Sequence, residues 1–278
     1  MVINADSAQV YAGLKVLSAG PSQADEARVE RRLFGFRDPA EPCSAAHWAA
    51  LAKAEVTRAH ERGRLPVVVG GTGLYLRALL DGIAPIPPID PAVRSAVRSA
   101  TVADNRARLA QADPEAATRL GATDSTRIAR ALEVVLSTRR PLADWHRARS
   151  GGIAGDVTLH PLLLLPPRPW LYARCDRRFA AMVAAGAPAE VSALLARGLD
   201  PMLPAMRAIG VRELASWLAG EVTRERAVIA GAQATRNYAK RQYTWFAHQP
   251  PAEWPRFATP LDDQAAAERA LALVGASV

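Results

Sequence analysis

Apolar and polar positions divide this chain into short β-branched runs separated by longer stretches with helical spacing. The N-terminal run Val2-Ile3-Asn4-Ala5 predicts a short strand leading straight into Asp6-Ser7-Ala8-Gln9-Val10-Tyr11. Trp48, Leu51, Ala52, Val56 and Ala59 share one helical face, with Ser44 placed to cap that helix and Gly63 to end it. Leu65-Pro66-Val67-Val68-Val69 then predicts a buried strand closed by Gly70-Gly71-Thr72-Gly73, after which Leu74, Leu76, Leu79 and Leu80 resume the helical period. A third buried strand is predicted over Leu159 to Leu165, stopped by Pro166-Pro167, with an arginine-rich amphipathic helix beyond it through Tyr172, Phe179 and Met182. Between the second and third strands the texture changes at Pro85-Ile86-Pro87-Pro88-Ile89-Asp90-Pro91. Arginine-rich, β-poor segments follow from Val93 to His146, broken near Asp113-Pro114 and Gly121, and Gly151-Gly152 marks the return to the sheet. The alanine-rich tail after Pro260 predicts a terminal helix. This alternation predicts an α/β fold interrupted by a helical insert.

Composition narrows the partners. At 278 residues and 50% hydrophobic content the chain can bury a sizeable core, as one domain with a smaller inserted or appended one. Its 35 basic against 27 acidic residues give a net charge of +8, which favours polyanions such as nucleic acid or phosphorylated small molecules. Lys15, Lys53 and Lys240 are the only lysines, so the positive charge is mostly arginine, whose planar fork suits phosphate; a genome composition bias gives the same ratio. Cys43 and Cys175 lack metal-ligand spacing or a pairing pattern, which predicts a reducing, cytoplasmic setting without structural zinc. The apolar runs near Pro66 and Pro161 are far shorter than a bilayer requires, so no membrane partner is expected.

Several segments carry candidate chemistry. Asp6 stands where a strand stops, and in α/β proteins ligands bind beyond the carboxyl ends of the strands. Taken alone, Asp6-Ser7 reads more readily as a strand-ending turn or helix cap than as a catalytic acid. Thr72 sits at a second strand end, where it offers a hydroxyl to the same crevice while the glycines admit a ligand to the backbone; an ordinary tight turn explains the glycines equally well. Arg127 and Arg130 point together from one helix face, either to hold an anion or merely to solvate the helix. Arg207 and Arg212 bracket a loop-to-helix junction suited to a diphosphate, with Glu213 able to neutralise either. From Arg236 to Phe246 cations alternate with aromatics, a pattern that suits phosphates and stacked bases and equally suits a helix with a charged outer and an aromatic inner face.

In order, Asp6-Ser7-Ala8-Gln9-Val10-Tyr11, Asp38-Pro39 with Ser44 after it, Gly70-Gly71-Thr72-Gly73-Leu74-Tyr75, Arg127 to Glu133, Arg207 to Gly210 and Lys240-Arg241-Gln242-Tyr243-Thr244-Trp245 resemble the tRNA dimethylallyltransferase (tRNA isopentenyltransferase) family. The resemblance runs from residue 3 to residue 257 or so. It implies a P-loop NTPase-like parallel sheet flanked by helices, with residues 1–90 and 152–278 as α/β catalytic core and 91–151 as a helical insertion domain for tRNA. It also implies transfer of the dimethylallyl group of dimethylallyl diphosphate to N6 of the adenine beside the anticodon, at position 37 of the tRNA. By motif, Asp6 would be the general base and Thr72 would position the adenine or the acid. Arg207 would touch the diphosphate. The expected tRNA contacts are Asp6, Ser7, Ala8, Gln9, Thr72, Thr126, Arg127, Ile128, Ala129, Arg130, Arg207, Arg212, Lys240, Arg241, Gln242, Tyr243, Thr244 and Trp245. Ala247-His248 stand where relatives often carry a basic residue, and Arg31-Arg32 where a histidine pair is common.

The family's opening strand and its Gly-x-x-x-x-Gly-Lys-Ser/Thr loop, which holds the diphosphate and Mg2+, have no counterpart in this sequence. The expectation is therefore a dimethylallyltransferase recorded without its first strand and phosphate loop, its activity belonging to a longer product. Two alternatives stand beside it: a noncatalytic tRNA-binding remnant, and an enzyme that prenylates free adenine nucleotides. The expected partners are a tRNA anticodon stem-loop and dimethylallyl diphosphate, and the expected state is a monomer.

Overall fold

In the computed structural model, which describes residues 1–275, the chain divides into two compact units. The first comprises Met1–Leu79 and the chain from Asp156 onward; the second is Leu80–Gly155.

The first unit is built on β1 (Val2–Asn4), which lies between β2 (Arg31–Arg32) and β3 (Val67–Val69) in a parallel sheet of order β2-β1-β3. Val2 is opposite Arg31 on one side and Val67 on the other, and Asn4 is opposite Val69. Parallel neighbours need crossovers: α1 (Gln23–Arg28) precedes β2, and α2 (Ala45–Glu61) joins β2 to β3. As the sequence predicts, Ser44 caps α2 by accepting the His47 N–H at 3.1 Å. Trp48 of α2 is fully buried, stacks on Tyr75 at 4.5 Å and donates its indole N–H to the Asn4 carbonyl at 2.9 Å. That bond fastens α2 to the end of β1, and the stack fastens it to α3 (Gly73–Leu80).

A second parallel pair, β4 (Leu163–Leu164) with β5 (Arg256–Phe257), sets Leu163 opposite Arg256. Around these strands run α9 (Arg168–Ala184), α10 (Ala187–Leu195), a 3-10 turn at Ala205–Arg207, α11 (Val211–Leu218), α12 (Arg224–His248) and α13 (Gln264–Ala272). The helix predicted after Pro260 is α13. Helices α9 and α12 pack along one another, closed by the ring of Phe179 against Gly231; a Cβ there would lie 2.0 Å from the ring.

Two expectations about strands need correction. The run at 65–69 is extended only over Val67–Val69 and is not buried: Val67 and Val69 are 43% and 53% exposed and Leu65 is 74% exposed. Within its sheet β3 pairs with β1 on one side only. Branching at Cβ favours extended backbone but does not specify what covers it. The strand expected from Leu159 to Leu165 shrinks to Leu163–Leu164, with Leu163 buried and Leu164 exposed.

The second unit is helical among the described residues: α4 (Pro91–Ser99), α5 (Val102–Ala112), α6 (Pro114–Arg119), α7 (Ser125–Thr138) and α8 (Leu142–Arg147). Asp90, Thr101, Asp113 and Asp124 cap the first four, and proline opens α4 and α6 where a missing N–H costs nothing. Leu109, Ile128 and Leu132 centre its apolar core. Its two ends are tied by reciprocal backbone bonds between Ile83 and Ser150 at 3.0 and 3.2 Å. No single helix among the described residues is long and apolar enough to cross a membrane.

Candidate functional site

Asp6 is set by the residue two before it. The buried Asn4 amide donates to the carbonyls of Asp6 (3.0 Å) and Leu33 (2.9 Å), and its oxygen accepts the Asp6 N–H at 2.8 Å. The chain therefore turns as soon as β1 ends. Asp6 Oδ1 accepts the Ala8 N–H at 2.8 Å, the local turn that composition alone suggests, and no group among the described residues hydrogen-bonds to Oδ2. The aspartate closes a turn with one oxygen and keeps the other available.

The glycine loop meets this turn directly. The Ser7 N–H donates to Thr72 Oγ1 at 2.9 Å, and the two hydroxyls lie 3.2 Å apart. Thr72 N also bonds the Ala5 carbonyl at 3.1 Å. The ends of β1 and β3 are thereby joined at one point. The glycines serve close packing inside the protein: a Cβ on Gly70 would lie 2.2 Å from the Ala5 carbonyl carbon, on Gly71 1.9 Å from Gln242 Nε2, and on Gly73 2.5 Å from the Trp245 ring. Gln242 donates to the Gly71 carbonyl at 2.9 Å. Of the predicted cluster on α12, Gln242 and Trp245 therefore reach the glycine loop. Lys240, Arg241 and Thr244 are exposed, and Tyr243 lies under the Arg168 guanidinium at 4.7 Å.

Two residues that the sequence did not single out complete the site. Tyr238, one helical turn before Gln242, has its phenol close to the side chains of Thr72, Gln242 and Asp6. Burial and the negative charge of Asp6 push its phenol up, outweighing the opposite influence of Thr72, Gln242 and Arg241, so it remains an O–H donor near neutral pH. Arg178 on α9 is the cation whose field acts with Asp6. Its side chain reaches solvent, yet desolvation by surrounding protein lowers its pKa, with Asp6 opposing that shift. Arg178 is one of four arginines on α9, and period alone gives no means of choosing it.

The other predicted residues distribute as follows. Gln9 uses both amide hydrogens on the carbonyls of Ser18 and Ala19, at 3.0 and 2.9 Å. Ala8 lends its N–H to Asp6. Arg207 is exposed in the 3-10 turn before Gly210, and its guanidinium has no hydrogen bond or ion pair among the described residues. That loop packs tightly: Gly210 has φ +96°, and a Cβ there would lie 2.6 Å from Leu17 and 3.0 Å from Phe179. Arg212 is exposed, while Glu213 accepts the Gly210 N–H at 3.0 Å and so caps α11. Arg31 and Arg32 are paired with Asp25 (3.7 Å) and with Glu30 and Glu55 (2.5 and 3.6 Å). In the helical unit, Thr126 and Arg127 are exposed, Ile128 and Ala129 are buried core, and Arg130 is half-buried. Burial of Ile128 and Ala129 means that any contact their segment makes falls to its exposed neighbours.

Mg2+ takes oxygen ligands in octahedral array and usually relies on one or two carboxylates plus substrate phosphates. Asp6 supplies one carboxylate beside the hydroxyls of Ser7 and Thr72, and no group of three His, Cys, Asp or Glu side chains forms among the described residues. That donor set does not by itself fit a resident magnesium ion.

Comparison with known proteins identifies the architecture. A family model described as IPP transferase matches residues 9–249. A tRNA dimethylallyltransferase of Erythrobacter litoralis is 60% identical over 259 residues, 93% of this chain and 82% of that protein. One of Novosphingobium aromaticivorans is 58% identical over 256 residues, 92% of this chain and 91% of that protein. The crystal structure of the full-length tRNA isopentenylpyrophosphate transferase from Bacillus halodurans aligns with a TM-score of 0.68 at 32% identity, covering 99% of this chain and 87% of that one. An aspartate at a strand end, held against a threonine in a glycine loop and sequence-matched over most of its length to these enzymes, places this chain in the IPP transferase family.

Proposed function

We propose that this protein transfers the dimethylallyl group of dimethylallyl diphosphate to N6 of adenine 37 in tRNA, with Asp6 as general base. The available Asp6 Oδ2, on the residue preceding the Ser7 amide that bonds Thr72, carries the reading. N6 of adenine is a poor nucleophile, because its lone pair is delocalised into the ring, and attack is helped by a base within hydrogen-bond reach. The N6 nitrogen forms its bond to the dimethylallyl carbon as that carbon's bond to the diphosphate oxygen breaks. The proton passes from N6 to Asp6, and the electron pair leaves with the diphosphate. Charge growing on the departing anion calls for cations, and Arg178 beside Asp6 and the unpaired Arg207 are the guanidinium groups offered here. The P-loop-like character of the sheet and any role for Mg2+ belong to this same proposal.

The acceptor adenine lies in a folded RNA and must leave its stack to meet Asp6. The exposed Lys240, Arg241 and Thr244 on α12 and the exposed Thr126 and Arg127 on α7 are proposed to hold the RNA, with Arg212 as a further contact. Asp6→Asn is expected to lower turnover by about 10²–10⁴-fold, the range of a lost general base, with RNA affinity nearly unchanged. Single-turnover transfer to an anticodon stem-loop measures this, and an unaltered rate would remove Asp6 from the chemistry. Running AMP in parallel tests the acceptor class: a nucleotide that outpaces the stem-loop would replace tRNA as the substrate.

A further inference from the structure

Glu190 on α10 is a half-buried carboxylate that the proposed chemistry does not use. Its two oxygens accept consecutive backbone N–H groups from the segment that follows the Asp6 turn: Oε1 from Val16 at 2.8 Å and Oε2 from Leu17 at 2.9 Å. That segment folds back on itself, the N–H groups of Ser18, Ala19 and Gly20 bonding the carbonyls of Leu14, Val16 and Lys15 at 2.9, 3.0 and 2.7 Å. A turn closed in this way leaves the N–H groups of Val16 and Leu17 without partners inside it. Glu190 satisfies both, with hydrogen bonds strengthened by its charge.

The same segment touches the site on two sides. Gln9, three residues after Asp6, donates both amide hydrogens to the Ser18 and Ala19 carbonyls. Leu17 is buried and packs against Gly210, where a Cβ would lie 2.6 Å from its Cδ1. Gly210 ends the loop that begins with the 3-10 turn carrying Arg207. The Arg207 guanidinium has no partner among the described residues, so the backbone of this loop sets its place.

We propose that Glu190 is a positioning residue for diphosphate recognition: by clamping Val16 and Leu17 it seats Leu17 against Gly210 and so holds Arg207 at a fixed place relative to Asp6. The inference rests on the reading of Arg207 as a diphosphate contact, and Glu190 itself touches no substrate. A glutamine at this position keeps the shape but turns an NH2 group toward one of the two N–H donors, where the carboxylate accepted both. The Val16–Leu17 backbone must then shift, and Leu17 moves off Gly210 with it.

In the test, the full chain is titrated with dimethylallyl diphosphate and, separately, with an anticodon stem-loop RNA, and the KM of the diphosphate is set against kcat in transfer. Arg207→Ala, Glu190→Gln and the double variant form a cycle. Glu190→Gln is expected to weaken dimethylallyl diphosphate binding roughly 10- to 100-fold, the order of a lost hydrogen bond to a charged group, in KM more than in kcat and with RNA affinity unchanged. In the Arg207→Ala background it should add nothing, because the contact it positions is already gone. Asp263→Ala removes the cap of α13, a structural bond of the same unit, and should lower the melting temperature without moving diphosphate affinity. Leu17→Ala keeps both bonds to Glu190 but empties the contact with Gly210, so it should repeat the Glu190→Gln result, and it decides the matter if Glu190→Gln does not fold. Effects confined to the melting temperature, or adding fully to those of Arg207→Ala, would overturn the positioning role while leaving Arg207 in place. Diphosphate affinity unchanged in Arg207→Ala, or absent from the wild-type chain, would overturn the reading of Arg207 itself, and the role of Glu190 with it.

Discussion

Asn4 and Tyr238 show how single side chains shape the surroundings of the Asp6 carboxylate. Asn4→Leu keeps the volume but removes three hydrogen bonds, leaving the Asp6 N–H and the Leu33 and Asp6 carbonyls to find other partners in a buried setting. Loss of roughly 1–3 kcal/mol per unsatisfied buried group predicts a lower denaturant midpoint together with slowed transfer. Tyr238→Phe is a finer probe, because the ring stays and only the O–H facing Thr72 and Gln242 goes. One net hydrogen bond of about 0.5–1.5 kcal/mol corresponds to roughly a 2- to 12-fold loss of turnover with unchanged RNA affinity. Equal turnover in the two proteins would make the phenol a packing group only. Asp6, Thr72 and Gln242 were legible in the sequence because each falls within a short ordered motif. Asn4 was read as part of an apolar strand, since nothing in its flanks reveals that its amide turns back on its own chain. Tyr238 falls inside the aromatic cluster and reads as one more ring for stacking, because its approach to Thr72 spans far more sequence than any local pattern encodes.

At the scale of elements, the glycine loop and α12 fit so closely that side chains added there should act through packing. A Cβ on Gly73 meets the Trp245 ring, itself set against Phe246 at 4.8 Å and below the Arg77 guanidinium at 5.5 Å. Gly73→Ala must push that ring aside at a cost of about 1–3 kcal/mol, as overpacking usually does. Gly70→Ala meets the Ala5 backbone, which cannot rotate away, so its denaturant midpoint should fall further; the reverse ranking would contradict the packing described. In the other unit, Arg98→Ala would leave Glu133 buried with only a distant partner and is expected to cost roughly 3–5 kcal/mol, read from the melting of α4 and α7 by circular dichroism. Helices were the readable part of this fold, because α2, α7 and α9 carry caps or proline starts together with a sustained apolar face. Strands were read less well. β2 is two arginines and β5 an Arg-Phe pair, too short for any alternation, and each extends only because a parallel neighbour supplies its hydrogen bonds.

Across the whole molecule, the five tyrosines fall outside Leu80–Gly155, so their titration reports one unit only. Tyr11, Tyr75 and Tyr238 have phenols raised above the ordinary value of 10.0, each chiefly by burial. Asp6 adds to the shift of Tyr75 and Tyr238, and Cys43 to that of Tyr75, whereas at Tyr11 the Cys43 N–H donated to the phenol opposes the shift. A phenol that ionises later in the folded than in the unfolded chain binds more protons when folded above its ordinary pKa. Stability is then complete below about pH 10 and falls as pH rises through the window between the unfolded and folded values. The first unit should therefore open in alkali, with tyrosinate absorbance appearing in a cooperative step above the ordinary titration range. Trp145 is the only tryptophan of the second unit and serves as its independent fluorescent reporter. Tyr75→Phe keeps the stack on Trp48 but removes the ionisable group with the largest shift, so its melting temperature should decline less steeply than wild type above pH 10 while agreeing more closely near neutrality. Parallel declines in the two proteins would show that burial of the Tyr75 phenol does not set the alkaline limit.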